Sequence, residues 1–323
     1  MCTSVSFLTK DHYFGRTLDL ECSYNEKVVI TPRNYPFNFR LAENLNSHYA
    51  VIGMATIADN YPLYYEATNE KGLSMAGLNF PVSAVYEEPV KDKYNIGVFE
   101  LIPWILGRCS SVDEAKDLLQ KTNIVAMDFN EDFHVAQLHW MISDRDYSIT
   151  VESVQEGLKI YYNPVSVLTN NPEFPMQIFN LNNYMSLTRE EPETRFAEGF
   201  NLNKYSRGMG AIGMPGDLSS MSRFVRASFT RLNSVCGESE SESISQFFHI
   251  LGSVAQPRGC VRVEDSFDKT VYSSCCNTDK GIYYYTTYDN SQISAVDLYR
   301  EHLDNSDLIV YNLINEQQIN FQN

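Results

Sequence analysis

Strand-forming runs arrive in blocks, and that ordering constrains the fold of this chain more than any other feature. The first third is built of the β-branched and aromatic runs Cys2–Leu8, Tyr13–Leu20, Val28–Thr31, Tyr49–Ile57, Leu63–Thr68 and Leu73–Asn79. The last two flank Asn69-Glu70-Lys71-Gly72, a hairpin turn in which Gly72 is free to take positive φ. Helical patterns follow at Val98–Leu106, apolar enough to be buried, and at Ala115–Leu119 behind the capping-box pattern Ser111-Val112-Asp113-Glu114. Strands resume at Gln137–Ser143, Ser148–Ser153, Leu158–Tyr162 and Val165–Thr169. Helices are expected over Pro175–Leu187, Met221–Val235 and Ser243–Val254, with Gly237–Glu242 a polar loop between the last two. The end returns to strands at Thr270–Ser274, Gly281–Thr287 and Ile293–Leu298. Strand blocks alternating with helix blocks predict α+β layers rather than a regular parallel βαβ array.

No linker or low-complexity tract divides the sequence, so residues 1–323 are expected to form a single domain. With 21 Tyr and 18 Phe, the chain can fill a core and still line apolar clefts. Its 25 Lys and Arg against 41 Asp and Glu leave a net charge of −16, which repels phosphate backbones and argues against nucleic-acid binding. The seven cysteines show no CxxC spacing. Adjacent Cys275 and Cys276 in a strand would point to opposite faces, which suits neither zinc nor a mutual disulfide. The six cysteines after Cys2 therefore read as buried thiols in a reducing compartment. No secretory signal or membrane-length apolar run is evident, so a cytoplasmic protein without membrane insertion is expected. Glycine-rich nucleotide motifs, zinc-protease motifs and the G-x-S-x-G elbow are absent, and the six histidines lack ligand spacing.

Cys2 is the residue on which function turns. Aminopeptidases remove an initiator methionine that precedes a small residue, and removal of Met1 would leave Cys2 with a thiol and a free α-amino group. An α-amino group titrates near 7.7–8.0, so it can serve as a base without a histidine partner. One residue would then supply both nucleophile and base.

Ordered motifs around this residue resemble the choloylglycine hydrolases, the family of bile salt hydrolases and penicillin V acylases. They are Met1-Cys2-Thr3, Tyr13 through Asp19, Asn69 through Leu73, Ala76 through Pro81, Leu138-His139-Trp140, Leu168 through Pro172, Pro215-Gly216-Asp217, Ser222 through Arg226, Phe247 through Leu251 and Gly281 through Tyr285. The resemblance spans essentially the whole chain and is closest to the bile salt hydrolases of gut lactic acid bacteria. It implies a four-layer αββα sandwich with two central antiparallel sheets. It further implies amide hydrolysis through a thioester on Cys2, without metal or organic cofactor, in what is commonly a homotetramer.

The same resemblance assigns roles. Arg16 would favour the thiolate, Asp19 would orient the α-amino group, Asn79 and Asn170 would flank the scissile carbonyl, and Arg223 would support the Asp19/Cys2 network. On the residues alone, Arg16 and Asp19 read as exposed charges, Arg223 as a solvated charge on an amphipathic helix, and both asparagines as turn residues. Arg226 is taken as structural. Arg16 and Asp19, three apart on a strand, face opposite sides, so the backbone must bend or bulge if both serve Cys2.

Asn79 matches the bile salt hydrolase pattern, where penicillin V acylases have Tyr. The partners implied are glycine- and taurine-conjugated bile salts, with a steroid slot drawn from the loops around Leu18, Tyr24, Tyr61–Tyr65, Phe129 and Phe133–Leu138, and from Leu18, Tyr24, Tyr65, Phe129 and Leu138 in particular. Two departures flank the motifs. Thr17 stands where relatives often have Asn, and Val82-Ser83-Ala84 stands where many carry Gly-Asn. A penicillin V acylase, a non-catalytic bile-acid or lipid-binding protein, and a structural or interaction protein are the competing readings.

Overall fold

The computed structural model describes residues 1–323. Two large antiparallel sheets face one another, and helices cover their outer sides. β1 (Cys2–Leu8) and β2 (His12–Leu20) make a hairpin in the first sheet. Its other strands are β12 (Val167–Leu168), β13 (Val261–Val263), β14 (Ser266–Asn277), β15 (Ile282–Thr287) and β16 (Ser294–Asp297). They run β12-β1-β2-β14-β15-β16, with β13 paired to β14.

The second sheet contains β3 (Lys27–Thr31), β4 (Val51–Ala58), β5 (Tyr61–Asn69), β6 (Ser74–Asn79), β9 (Leu138–Ser143), β10 (Ser148–Val154), β11 (Gly157–Tyr162) and β17 (Ile309–Asn312). Its order is β11-β10-β9-β6-β5-β4-β3-β17. Two short strands, β7 (Tyr94–Gly97) and β8 (Thr122–Val125), pair in parallel.

α4 (Ser220–Asn233) and α5 (Glu240–Gly252) pack on β1, β2 and β14, while α1 (Leu101–Leu106) lies against β5 and β6 and α2 (Val112–Gln120) against β8. Apolar side chains fill the space between the sheets and beneath α4 and α5; a second cluster lies between the second sheet and α1 and α2. Strands sandwiched in this way are buried on both faces. Val28, Val29 and Ile30 are each fully buried, as are Cys275 and Cys276 on opposite faces of β14. No helix is long and apolar enough to cross a membrane.

Local chemistry explains where element boundaries differ from expectation. The helix expected to run to Leu187 becomes α3 (Phe174–Asn180) followed by a 3-10 turn over Leu181–Tyr184. Asn182 donates to the Phe179 carbonyl at 2.7 Å, a local bond of the kind that competes with helix continuation. The loop expected over Gly237–Glu242 instead contains the start of α5, where Ser239 and Glu242 form a reciprocal capping box. At α2 only half of the expected box forms, because Glu114 bonds Ser110 rather than Ser111. All seven cysteines are unpaired, but Cys22 and Cys260 are exposed and Cys236 is half-buried, so only three of the six later thiols lie buried. Those two exposed thiols fall in connections at the sheet margin, where no core encloses them.

Candidate active site

Register on the β1–β2 hairpin sets the site. Cys2 stands opposite Leu18 and Ser4 opposite Arg16, so the Cys2, Arg16 and Leu18 side chains share the face turned toward the second sheet. Thr3, Thr17 and Asp19 take the other face, toward α4 and α5. The backbone nitrogen of Cys2 lies between the two environments.

Arg16 is fully enclosed. Its Nη1 donates to the carbonyls of Tyr65 at 3.1 Å and Gly77 at 2.5 Å, which ties it to the second sheet, and Nε donates to Thr17 at 3.2 Å. Nη2 is buried without a protein partner, leaving donors free beside the thiol. Burial opposes the charge, but Cys2, Tyr272, Glu66 and Asp19 together hold the guanidinium above its ordinary pKa. Glu66 lies 3.9 Å from Arg16 Nε and accepts from Tyr272 at 2.6 Å, Ser274 at 2.9 Å and the Tyr283 hydroxyl. Nothing in the local sequence marks this buried glutamate, because its partners come from β14 and β15.

Asp19 is equally buried. It accepts from Thr270 at 2.7 Å, Thr17 at 3.1 Å and Gln256 at 3.5 Å. Burial raises its pKa, against Arg223 and the chain's amino terminus. β2 does not make the bend or bulge expected between Arg16 and Asp19, since it pairs with β1 in unbroken register. The bulge nearby is on β14, where Asp19 pairs with Thr270 and Leu18 with Tyr272, so Val271 is the extra residue. Arg16 and Asp19 remain on opposite faces, the one on the thiol side of Cys2 and the other on its main-chain side.

Met1 extends the ladder. Its carbonyl accepts from Asp19 N at 2.8 Å, and its amine bonds the Asp19 carbonyl at 2.5 Å and Asp268 at 3.4 Å. Cys2 N donates to Asn170 Oδ1 at 2.8 Å. The same oxygen accepts from Arg223 Nη2 at 2.7 Å, and Asn170 Nδ2 donates to the Asn79 carbonyl at 2.7 Å. These three bonds fix the amide's orientation and leave one Nδ2 hydrogen unassigned. Ser220, at the start of α4, accepts from Asn170 N at 2.8 Å, so the turn after β12 is anchored to a helix.

Arg223 is fully buried. Rather than contacting Asp19, it donates to the Cys2 carbonyl at 2.5 Å and to Thr3 at 2.7 Å. Burial lowers its pKa despite Asp19 and Cys2 nearby. Arg226 lies outside this group and binds the carbonyls of Pro215, Asp217 and Ser253, tying α4 to its flanking loops. Asn79 ends β6 exposed, lining the cleft, with no side-chain hydrogen bond to the protein.

Above Cys2 opens a predominantly apolar cleft of about 440 Å³. Leu18, Tyr24, Tyr65, Phe129 and Leu138 all line it, from β2, the loop after it, β5 and the segment leading into β9. Leu20, Val98, Phe99 and Met127 also line it and escaped the sequence reading; Val98 and Phe99 looked like interior helix residues. Tyr61 does not line the cleft but packs against Phe37, Phe99 and Phe129 behind it. Arg40 pins the outer wall: its guanidinium bonds the carbonyls of Asp128 and Phe129 and lies 4.9 Å and 5.5 Å from the Phe99 and Phe129 rings. No cluster of three or more His, Cys, Asp or Glu side chains has an arrangement that could hold a metal ion.

A thiol at the floor of an apolar cleft, a guanidinium with unused donors beside it, the Asn79 amide lining the cleft and the buried Asn170 amide on the Cys2 nitrogen can attack a carbonyl and receive the negative charge that develops. While Met1 is joined to it, however, Cys2 N is an amide and not a base.

Comparison with known proteins agrees with this geometry. The family model for linear amide C–N hydrolases of the choloylglycine hydrolase family matches residues 2–311. The bile salt hydrolase/transferase of Lactiplantibacillus plantarum is 57% identical over 98% of both chains. A crystal structure of a mutant conjugated bile acid hydrolase from Clostridium perfringens superposes with a TM-score of 0.92, at 40% identity over 100% of both chains. The penicillin V acylase of Agrobacterium tumefaciens shares the fold, with a TM-score of 0.75 at 20% identity over 96% of this chain and 91% of that one. The N-terminal nucleophile hydrolase architecture, the thiol and the comparisons converge: this chain belongs to the choloylglycine hydrolase family of linear amide C–N hydrolases.

Proposed function

We propose that this protein hydrolyses the amide joining a bile acid to glycine or taurine. The observation that carries the reading is Cys2 at the floor of a large apolar cleft, its backbone nitrogen held by Asn170. Removal of Met1 turns that nitrogen into an amine, which takes the thiol proton. The Cys2 sulfur then attacks the amide carbonyl. Asn79 and the spare Asn170 hydrogen receive the oxyanion, while Arg16 stabilises the thiolate. Collapse breaks the C–N bond, the Cys2 amine returns the proton to the leaving amine, and water cleaves the thioester to free the bile acid. Asp19 orients the Cys2 amine, and Arg223 fixes the first two residues of β1.

A steroid acyl group suits a wide slot walled by Leu18, Tyr24, Tyr65, Phe129 and Leu138, and relatives named for bile salts support this substrate. The unpaired cysteines support a cytoplasmic setting. Exposed Phe179, Met185, Phe196, Phe200 and Tyr205, close together in sequence, support assembly into a homotetramer. The continuous packing between the sheets supports one domain over the whole chain.

Intact mass together with turnover of glycocholate, taurocholate and penicillin V tests the reading. Protein lacking Met1 should hydrolyse the two bile salts, and Cys2→Ser should lose about 10⁴-fold or more. Cleavage of penicillin V alone would overturn the substrate. Unimpaired turnover by Cys2→Ser would overturn the nucleophile.

A further inference from the structure

One buried imidazole–carboxyl pair lies against the site without belonging to it. His139 of β9 and Glu152 of β10 are both fully buried, and His139 Nδ1 is 3.0 Å from Glu152 Oε1. The other ring nitrogen, Nε2, is 2.9 Å from the Thr169 carbonyl. Glu152 also accepts from Phe174 N at 3.0 Å and 3.2 Å, a donor pattern suited to a carboxylate. Nε2 donates to the Thr169 carbonyl, and Nδ1 shares a hydrogen bond with the Glu152 carboxyl, so both ring nitrogens are engaged. Burying two polar side chains this deep costs desolvation that their hydrogen bonds only partly offset, so packing alone does not explain them.

Its position does. Thr169 immediately precedes Asn170, and its carbonyl lies just beyond β12 in the first sheet, so the Nε2 bond bridges the two sheets. At the other end of the same turn, Glu152 holds Phe174, the first residue of α3. The imidazole also stacks on Phe80, with ring centres 4.2 Å apart and planes 6° from parallel, and Phe80 directly follows Asn79. One ring thus touches the neighbours in sequence of both asparagines.

We propose that His139 and Glu152 are positioning residues that set the separation of Asn79 and Asn170 above Cys2. The inference rests on the amide hydrolysis proposed above. The dyad touches neither substrate nor sulfur; it acts through the Thr169 carbonyl and the Phe80 ring. Oxyanion donors are effective only when prepositioned to within a few tenths of an ångström, so loosening this post should slow the chemical step while leaving binding alone.

Full-length processed protein is compared with His139→Gln, whose amide can reach only one of the two partners. Expected for His139→Gln is a kcat lower by about 10- to 100-fold with KM within about twofold of the parent. Alkylation of Cys2 by iodoacetamide should stay within about twofold, because Arg16, which stabilises the thiolate, is tied to Tyr65 and Gly77 and not to the dyad. Glu152→Gln, whose single amide oxygen can still meet both His139 Nδ1 and Phe174 N, should retain much of the turnover that Glu152→Leu loses. Phe80→Leu, which frees the ring but leaves both polar partners, covers the case in which His139→Gln does not fold; it should show the same split at about three- to fivefold. An active parent whose His139→Gln and Phe80→Leu variants turn over at the parental rate overturns the positioning role, as does a parallel fall in alkylation and turnover. A parent inactive on all three amides overturns the proposed function, and the dyad's role with it.

Discussion

Val82 sits in the left-handed region at φ 71° and is 91% exposed, an unfavourable place for a β-branched residue. The turn around it is held by others: Asn171 donates to the Pro81 carbonyl at 2.8 Å and to Ser83 at 2.9 Å. Val82→Asn should therefore stabilise the protein by about 1 kcal/mol, since Asn tolerates this φ and no packing is lost. Urea denaturation midpoints would show it; an unchanged or lower midpoint would contradict the strain. The sequence departures behave differently from one another at this scale. Val82 strains its turn, whereas Thr17 joins the site by donating to Asp19 at 3.1 Å. Charged residues were the hardest to read locally. Arg16, Asp19 and Arg223 look solvated in isolation, yet all are buried because their partners arrive from far along the chain: Tyr65 and Gly77, Thr270, and Cys2. Glu66 and Glu152 gave no signal for the same reason. His139 was visible only as part of a motif, without a role.

Elements explain why Arg16 follows a glycine. A Cβ on Gly15 would lie 2.0 Å from the Ser274 carbonyl oxygen of β14, so β2 and β14 could not keep their spacing. Gly15→Ala should destabilise by about 3 kcal/mol and lower activity through Arg16, measurable as a reduced melting temperature with a reduced kcat. Retention of the parental melting temperature would show that β14 can give way. Long strands such as β1, β2 and β5 were legible because alternation and β-branched content extend over several residues. β7, β8, β13 and β17 were not. Each spans three or four residues, too few for a period to register, and each is specified by the strand it pairs with. The register shift at Val271 was not anticipated, because one strand's sequence does not reveal its neighbour's irregularity.

At the scale of the whole molecule, buried ionisable groups pull stability in opposite directions as pH falls. His12 lies between the sheets, 2.8 Å from both Ser6 Oγ and Thr278 Oγ1, and burial pushes its pKa from 6.5 down to about 4. The folded state then binds a proton less readily than the unfolded chain. His12 contributes its full stability above pH 6.5 and loses it as pH falls toward 4, a change of about 3 kcal/mol. Asp19 and Glu66, raised by burial, run the other way: their desolvation cost eases as they are protonated. The stability difference between the parent and His12→Gln, which isolates the one group, should shrink by about 3 kcal/mol between pH 7 and pH 4. Parallel curves would show that His12 stays neutral at no cost.

The pairing of Met1 with Asp19 has a practical corollary for anyone handling the protein. Met1 sits inside a ladder next to Cys2, so an affinity tag fused ahead of Met1 would occupy the sheet's end and permanently cap the nitrogen that the proposed mechanism turns into an amine. Residues 314–323 are exposed throughout, so that end can carry a label at no expense to the chemistry.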